Sequence, residues 1–434
     1  MRHTRVPPRI LLCLVLLAAP PWAVPVHAAT AAAGQDVSAG IRAEVARQAK
    51  GQLKDFYAAR GFAPLWAASG AIGPEAGALL DDLTTADIDG LKPSSYKIKS
   101  LVKSVGAAGG GDPRAIAKAE LKLSAAFARY VRDLRKPAPD DMTYLDDGLK
   151  PRKLEVSAVL RSAALAQPFA RYIADMGWMS PHYVRIRQLV ARGKASSIPK
   201  DNFDRLRRNL ARARILPGPW THHIVVDAAS GQLWYYQAGK QAGTMRVIIG
   251  RPETPTPMLA GMLQYAILNP YWNVPVDLAQ HRVAPRVIAG QSLRSMGYEA
   301  LSDWSAAPQV LKAAQIDWPA VASGAQEIRL RQRPGPANAM GRVKFMFPND
   351  DGIYLHDTPE RALFTEPGRH FSNGCVRLEN AGALGKWLLG RTIRSNPRTP
   401  EQPVALPVPV PVFLTYFTAG ESGDLLPDVY DRDR

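Results

Sequence analysis

The stretch IYLHDTPERALFTEPGRHFSNGCVR, Ile353 to Arg377, decides how this chain is read. It opens on a short strand pattern that reaches His356, crosses a loop, and ends on Ser372-Asn373-Gly374-Cys375-Val376-Arg377. A thiol becomes a useful nucleophile when a neighbour takes its proton or stabilises its thiolate. His356 is the natural partner, because imidazole titrates near neutrality. The two lie 19 residues apart, so a fold has to bring them together. Gly374 lets the backbone approach a substrate closely. The amides around Gly374 and Cys375 are candidates to hold an oxyanion. Tyr354, two residues before His356, points to the same side of a strand and offers a second donor. Arg377 is read as a partner for a substrate carboxylate or as a tie between loop and sheet. Ser372 is read as a loop-shaping hydrogen bonder rather than a substrate contact.

Outward from this stretch, the period is two. Residues 222–227, 232–238 and 244–249 read as strands joined by Ser230-Gly231 and Gly239-Lys240 turns. Further strands are expected at 262–269, 342–347, 352–356 and 409–418. Residues 283–340 interrupt them with helical and proline-glycine segments, an insertion long enough to be a cap. The stretch 397–411 is proline-rich, and Val412 to Thr418 resumes a strand, so the C-terminal part is expected within the sheet. Upstream, Pro217-Gly218-Pro219 marks a boundary. Before it, residues 38–60, 76–88, 113–135, 157–176 and 201–214 carry helical spacing. The expected fold is α+β, with a helical domain over 29–216 and a mostly β domain over 219–434 carrying a helical capping insertion.

The first residues read as a secretory signal. Arg2, Arg5 and Arg9 precede a short apolar run, and Val26-His27-Ala28 places cleavage after Ala28, giving a signal peptide over 1–28. An uncleaved anchor is the rival reading, but the run is too short for a membrane span. Cys13 leaves with the signal, so Cys375 is then the one thiol, unable to form an internal disulfide. In an oxidising compartment a lone thiol is a liability unless it reacts for a purpose, although buried inert cysteines are common. The net charge of +17 falls to +14 without the three signal arginines and suits an anionic partner or surface. For an exported chain that points away from nucleic acid, toward wall polymer or membrane headgroups.

With these residues in view, the chain resembles the L,D-transpeptidase (YkuD) superfamily. The likeness rests first on His356 followed by Ser372-Asn-Gly-Cys-Val-Arg377. It extends to Asn269-Pro-Tyr-Trp-Asn-Val-Pro275, Arg331-Gln332, Pro334-Gly335, Asn338, Val343-Lys-Phe345, Phe347-Pro-Asn349 and the closing Pro411-Val412, Tyr416 and Thr418. Phe56-Tyr57, Pro64-Leu-Trp66, Asp89-Gly-Leu91 and Tyr96 resemble the scaffold domain of the large YcbB-like branch. The resemblance implies that Cys375 attacks an L–D peptide bond of a peptidoglycan stem and forms a thioester. It then passes the acyl group to a diaminopimelate side-chain amine, with His356 as base and then acid. It also implies a periplasmic monomer acting on donor and acceptor stems, with no metal or organic cofactor, and acylation by carbapenems. Two departures stand out. Asn373 occupies the place where most of the family has histidine, and no peptidoglycan-binding module is legible between 150 and 215. The motif does not choose between 3-3 and 1-3 cross-links.

Rival functions are an L,D-carboxypeptidase or endopeptidase using the same residues, an unrelated exported cysteine protease, and a non-catalytic wall-binding protein. Other conspicuous residues have plainer readings. Asn380 is expected to be structural, His370 a surface histidine, and His222-His223 the start of a strand without a metal-ligand set. Trp272, Trp304 and Trp318 are either groove or core.

Overall fold

In a computed structural model the described residues are 38–137 and 140–427, so the expected signal peptide lies outside them. Helices α1 (38–48), α2 (Gly51–Ala58), α3 (Glu75–Thr84), α4 (Ile98–Ala108) and α5 (Pro113–Leu134) come first. After β1 (Thr143–Tyr144) follow α6 (Val156–Leu165), α7 (Phe169–Ala174), α8 (Pro181–Ala195) and α9 (Lys200–Arg214). The pattern expected as one helix over 38–60 breaks at Lys50-Gly51, where Lys50 is extended and Gly51 has φ 52°. That expected over 157–176 breaks at Pro168, which has no amide to continue a helix. Helices α4 and α8 were not anticipated. Yet α8 begins on a recognisable Ser-Pro signal, with the Ser180 hydroxyl accepting from the Tyr183 amide.

Helix α5 is the axis of this domain. Asp112 caps it by accepting from the Arg114 and Ala115 amides. Its buried Glu120 accepts from the Leu65, Trp66 and Ala67 amides and from the Tyr57 hydroxyl. A turn that would otherwise bury bare amides is thereby satisfied. Buried Asp89 plays a similar part, accepting from Tyr130, Tyr183 and Arg187. These contacts tie Tyr57, Leu65, Trp66 and Asp89, distant in sequence, to α5.

The following domain is built on β2 (His223–Asp227), β3 (Gln232–Gln237), β4 (Lys240–Gly250) and β5 (Leu259–Leu268). Strands β6 (Trp272–Val274), β7 (Tyr298–Leu301), β8 (Val310–Leu311) and β9 (Arg329–Gln332) belong to the insertion. The main sheet resumes with β10 (Val343–Met346), β11 (Leu355–His356), β12 (His370–Ser372), β13 (Val376–Leu378) and β14 (Gln402–Thr415). Its order is β1-β5-β10-β11-β13-β4-β3-β2-β14, and β14 returns to pair with β5, so the sheet closes on itself. Closure leaves fewer open edges for another chain to pair with.

Strand β14 begins ten residues earlier than Val412 and takes in the proline-rich stretch. Pro403, Pro407, Pro409 and Pro411 stand at period two, which puts every missing amide on one edge of the strand. That edge meets β2 only from Val412 onward, while the other pairs with β5 along the strand.

The insertion differs from the helical expectation. It is mixed: an antiparallel sheet β6-β9-β7-β8 with helices α10 (Val276–Leu278), α11 (Ala284–Ile288) and α12 (Trp318–Ser323). It starts at Trp272, upstream of 283, and has its own core around Val283, Ala284, Ala300, Trp318, Val321 and Leu330. The rest of the described chain shares one core across the helical and β domains. Strand β1 adds to β5, Arg135 donates to the Arg214 and Leu216 carbonyls, and Asn209 accepts from the Ala419 amide.

Candidate active site

The two expected reactive residues sit on neighbouring strands. Strands β11 and β13 run parallel with Leu355 opposite Val376 and His356 opposite Arg377. Cys375 immediately precedes β13, and the Val376 amide donates to the Tyr354 carbonyl. Residues two apart in a strand share a face, so Tyr354, His356, Cys375 and Arg377 are presented together. All four line one cleft of about 440 Å³ between the closed sheet and the cap. Ser372 and Asn373 line it as well.

The backbone at the cysteine is held by a short relay. Gly374 has φ 114°, a conformation that L side chains rarely adopt, and an added Cβ would press on Ile353. The Ser372 hydroxyl accepts from the Gly374 amide at 3.1 Å and donates to the Cys375 carbonyl at 2.6 Å. The Thr256 hydroxyl donates to the Gly374 carbonyl at 2.8 Å and accepts from the Gly250 amide at 2.9 Å. Tyr416 in turn donates to the Thr256 carbonyl at 2.5 Å. Thr256 and Tyr416 were missed as site residues because each acts through tertiary contacts. Nothing about the Pro255-Thr256-Pro257 turn announces a role. One expectation changes here: the Gly374 amide is committed to Ser372 and does not face the cleft as a free donor.

Cys375 is half-buried and its thiol donates to the Gly352 carbonyl at 3.4 Å. Burial pushes it up to about 11, against the opposing pull of the Tyr354 amide, the Arg377 charge and the Tyr354 hydroxyl. His356 is buried, and its Nδ1 lies 2.6 Å from the Asp357 carbonyl. A carbonyl only accepts, so Nδ1 carries the proton and Nε2 is left as the basic nitrogen. Burial holds the imidazole down to about 3, helped by the Arg377 and Lys344 charges and opposed by the Asp357 bond. Burial thus favours the neutral form of both groups. Tyr354, ring centroid 5.9 Å from that of His356, is held in its phenol form by burial and by the neighbouring Cys375 and Glu401.

Arg377 is tied to Glu360 by a close ion pair at the cleft wall. Asp357 binds Arg361 and the Arg342 amide, which steadies the residue whose carbonyl orients His356. Asn380 caps α13 (Ala381–Leu389) through the Ala383 amide. His370 is half-buried on β12 opposite Ile249 and is not a cleft residue. His223 stacks on Tyr236 and His222 meets Trp387 edge-on. Among the described residues no group of three or more His, Cys, Asp or Glu could hold a metal ion. Of the three tryptophans, Trp272 lines the cleft, Trp318 is buried in the cap, and Trp304 is exposed away from the cleft.

The closed β domain thus brings His356 at the end of β11 and Cys375 just ahead of β13 together beneath the cap. Residues 221–410 match the family model of the L,D-transpeptidase catalytic domain (YkuD), and residues 51–189 match that of a scaffold domain. The chain carries an L,D-transpeptidase (YkuD) catalytic domain, and that family's members are cell-wall enzymes acting on peptidoglycan stem peptides. A Haemophilus influenzae protein described as "Putative L,D-transpeptidase" is 29% identical over 405 residues, covering 89% of this chain and 79% of that one. An L,D-transpeptidase structure from Mycobacterium smegmatis shows 14% identity over 45% of this chain and 58% of its own, with a TM-score of 0.22. An Enterococcus faecium L,D-transpeptidase variant shows 12% identity over 65% of this chain and 97% of its own, with a TM-score of 0.20. Overlaps this small carry no comparison of sites. Among the described residues no helix is long and apolar enough to cross a membrane.

Proposed function

We propose that this chain is an exported peptidoglycan L,D-transpeptidase with Cys375 as nucleophile and His356 as general base. The observation that carries the reading is the placement of Cys375 and a carbonyl-oriented His356 in one cleft of a domain matched to this family. As the thiol attacks the carbonyl carbon of an L–D bond, His356 Nε2 takes its proton. The Cys375 amide and the Tyr354 hydroxyl serve as the oxyanion donors in this reading, since the Gly374 amide is occupied. The imidazolium then gives its proton to the leaving amine, and a thioester remains. The diaminopimelate amine of a second stem attacks it, His356 takes the amine's proton, and the cysteine sulfur leaves and is reprotonated. Every proton moves through one imidazole, and no cofactor is called for.

The test is to incubate the purified protein with disaccharide tetrapeptide from a diaminopimelate wall and sequence the products by tandem mass spectrometry. Dimers joined through diaminopimelate support transfer, and the donor residue separates 3-3 from 1-3 linkage. Shortened monomers alone mean the hydrolytic rival. Unaltered substrate with wild type and Cys375→Ser alike would sink the enzymatic reading and leave wall binding.

A further inference from the structure

The cap contributes more than a roof. Arg282 and Arg286 line the same cleft as Cys375, together with Tyr298 and Trp272 from the cap sheet. The other cleft arginines have carboxylate neighbours: Arg377 is paired with Glu360, and Arg251 Nε lies 4.0 Å from Glu253. Arg282 and Arg286 are exposed, and among the described residues no carboxylate lies within 4.0 Å of either. Their charges reach the Tyr298 hydroxyl, where they oppose the upward push of burial.

The helix that carries them is rigidly seated. Pro285 has no amide to meet the His281 carbonyl, and the chain widens into a π turn over Ala279–Val283, with the Ala284 amide bonded to the Ala279 carbonyl. Ala279, Val283 and Ala284 are buried in the cap core on one side. The two arginines, four residues apart, emerge on the other side and line the cleft. Paired guanidinium groups on a fixed element suit carboxylate recognition, because each offers a planar fork of donors.

We propose that Arg282 and Arg286 form a carboxylate clamp that selects stem peptides with free carboxylates over stems in which those groups are amidated. This rests on the transpeptidase reading above. Loss of a charge-assisted contact corresponds to about 10- to 100-fold in affinity or rate. The experiment compares kcat/KM of the wild type on a free-carboxylate tetrapeptide stem and on its amidated counterpart. The expected preference for the free acid is about 10- to 100-fold, carried mainly by KM. In Arg282→Ala/Arg286→Ala the ratio should fall toward one, and in Arg282→Lys/Arg286→Lys it should be partly restored. Iodoacetamide alkylation of Cys375 at the wild-type rate shows that the double variants keep the fold. A wild type blind to amidation, or a double alanine variant that keeps the full preference, overturns the clamp. Calorimetric binding of both stems to Cys375→Ser gives the same comparison without turnover. Absence of turnover with a preserved, arginine-dependent preference there sinks the transpeptidase reading and keeps the clamp.

Discussion

Cys375 and His356 are each unremarkable by type, and their surroundings set their chemistry. A neutral resting pair predicts that iodoacetamide alkylation of Cys375 keeps rising with pH toward about 11, without a plateau near neutrality. A rate already level between about pH 7 and 8 would instead reveal a preformed thiolate–imidazolium pair. Removing the proposed base in His356→Gln should lower kcat by about 10²- to 10⁴-fold, read on the stem-peptide assay. The same variant tests the burial of a neutral imidazole. The folded-state pKa of about 3 lies below the unfolded value, so the unfolded chain binds more protons between the two. The stability held by neutral His356 is full above about pH 6.5 and drains as pH falls toward the folded value. Wild type should therefore lose about 2 kcal/mol relative to His356→Gln between pH 7 and 5, measured from urea midpoints. The difference measurement matters, because Asp82 and Asp227, pushed up by burial to about 7 and about 6, act in the opposite direction.

At the scale of elements, the Gly374-Cys375 turn depends on a threonine from a separate loop. Thr256 joins the end of β4 to the Gly374 carbonyl, so it sets where β13 begins. Thr256→Val keeps the shape but orphans a buried amide and a buried carbonyl. It should cost about 2–4 kcal/mol of stability and lower kcat by about 10²-fold, while Thr256→Ser retains most of both. Denaturant midpoints and single-substrate kinetics decide it. A valine variant with wild-type kcat would show that the turn holds itself. The strands are legible where turn residues bracket them, as at β2 and β3 on either side of Ser230-Gly231. Strand β14 was read short because its prolines look like a linker until one sees that their missing amides share an edge.

Across the whole molecule, buried carboxylates stitch the helical domain. Glu120 serves three consecutive backbone amides and a tyrosine hydroxyl at zero exposure. Glu120→Gln puts an NH2 group against amides that need acceptors. The expected cost is about 3 kcal/mol, read from the urea midpoint, with alkylation of Cys375 in the folded protein unaltered. The two domains share one core while the cap has its own, so the cap is the part able to respond to a substrate independently.

The sequence by itself determined the helical-then-β order and the strand faces around His356. These rest on local periodicity. Pro217-Gly218-Pro219 falls between α9 and β2, a place where backbone restriction is local and therefore legible. Only the tertiary structure decided that Gly374's amide is taken by Ser372, that Thr256 supports the turn, that the sheet closes through β14, and that the cap is a mixed sheet bearing Arg282 and Arg286. Each of these depends on contacts between residues distant in the chain or on how a turn spends its hydrogen bonds. Neither composition nor periodicity records such pairings.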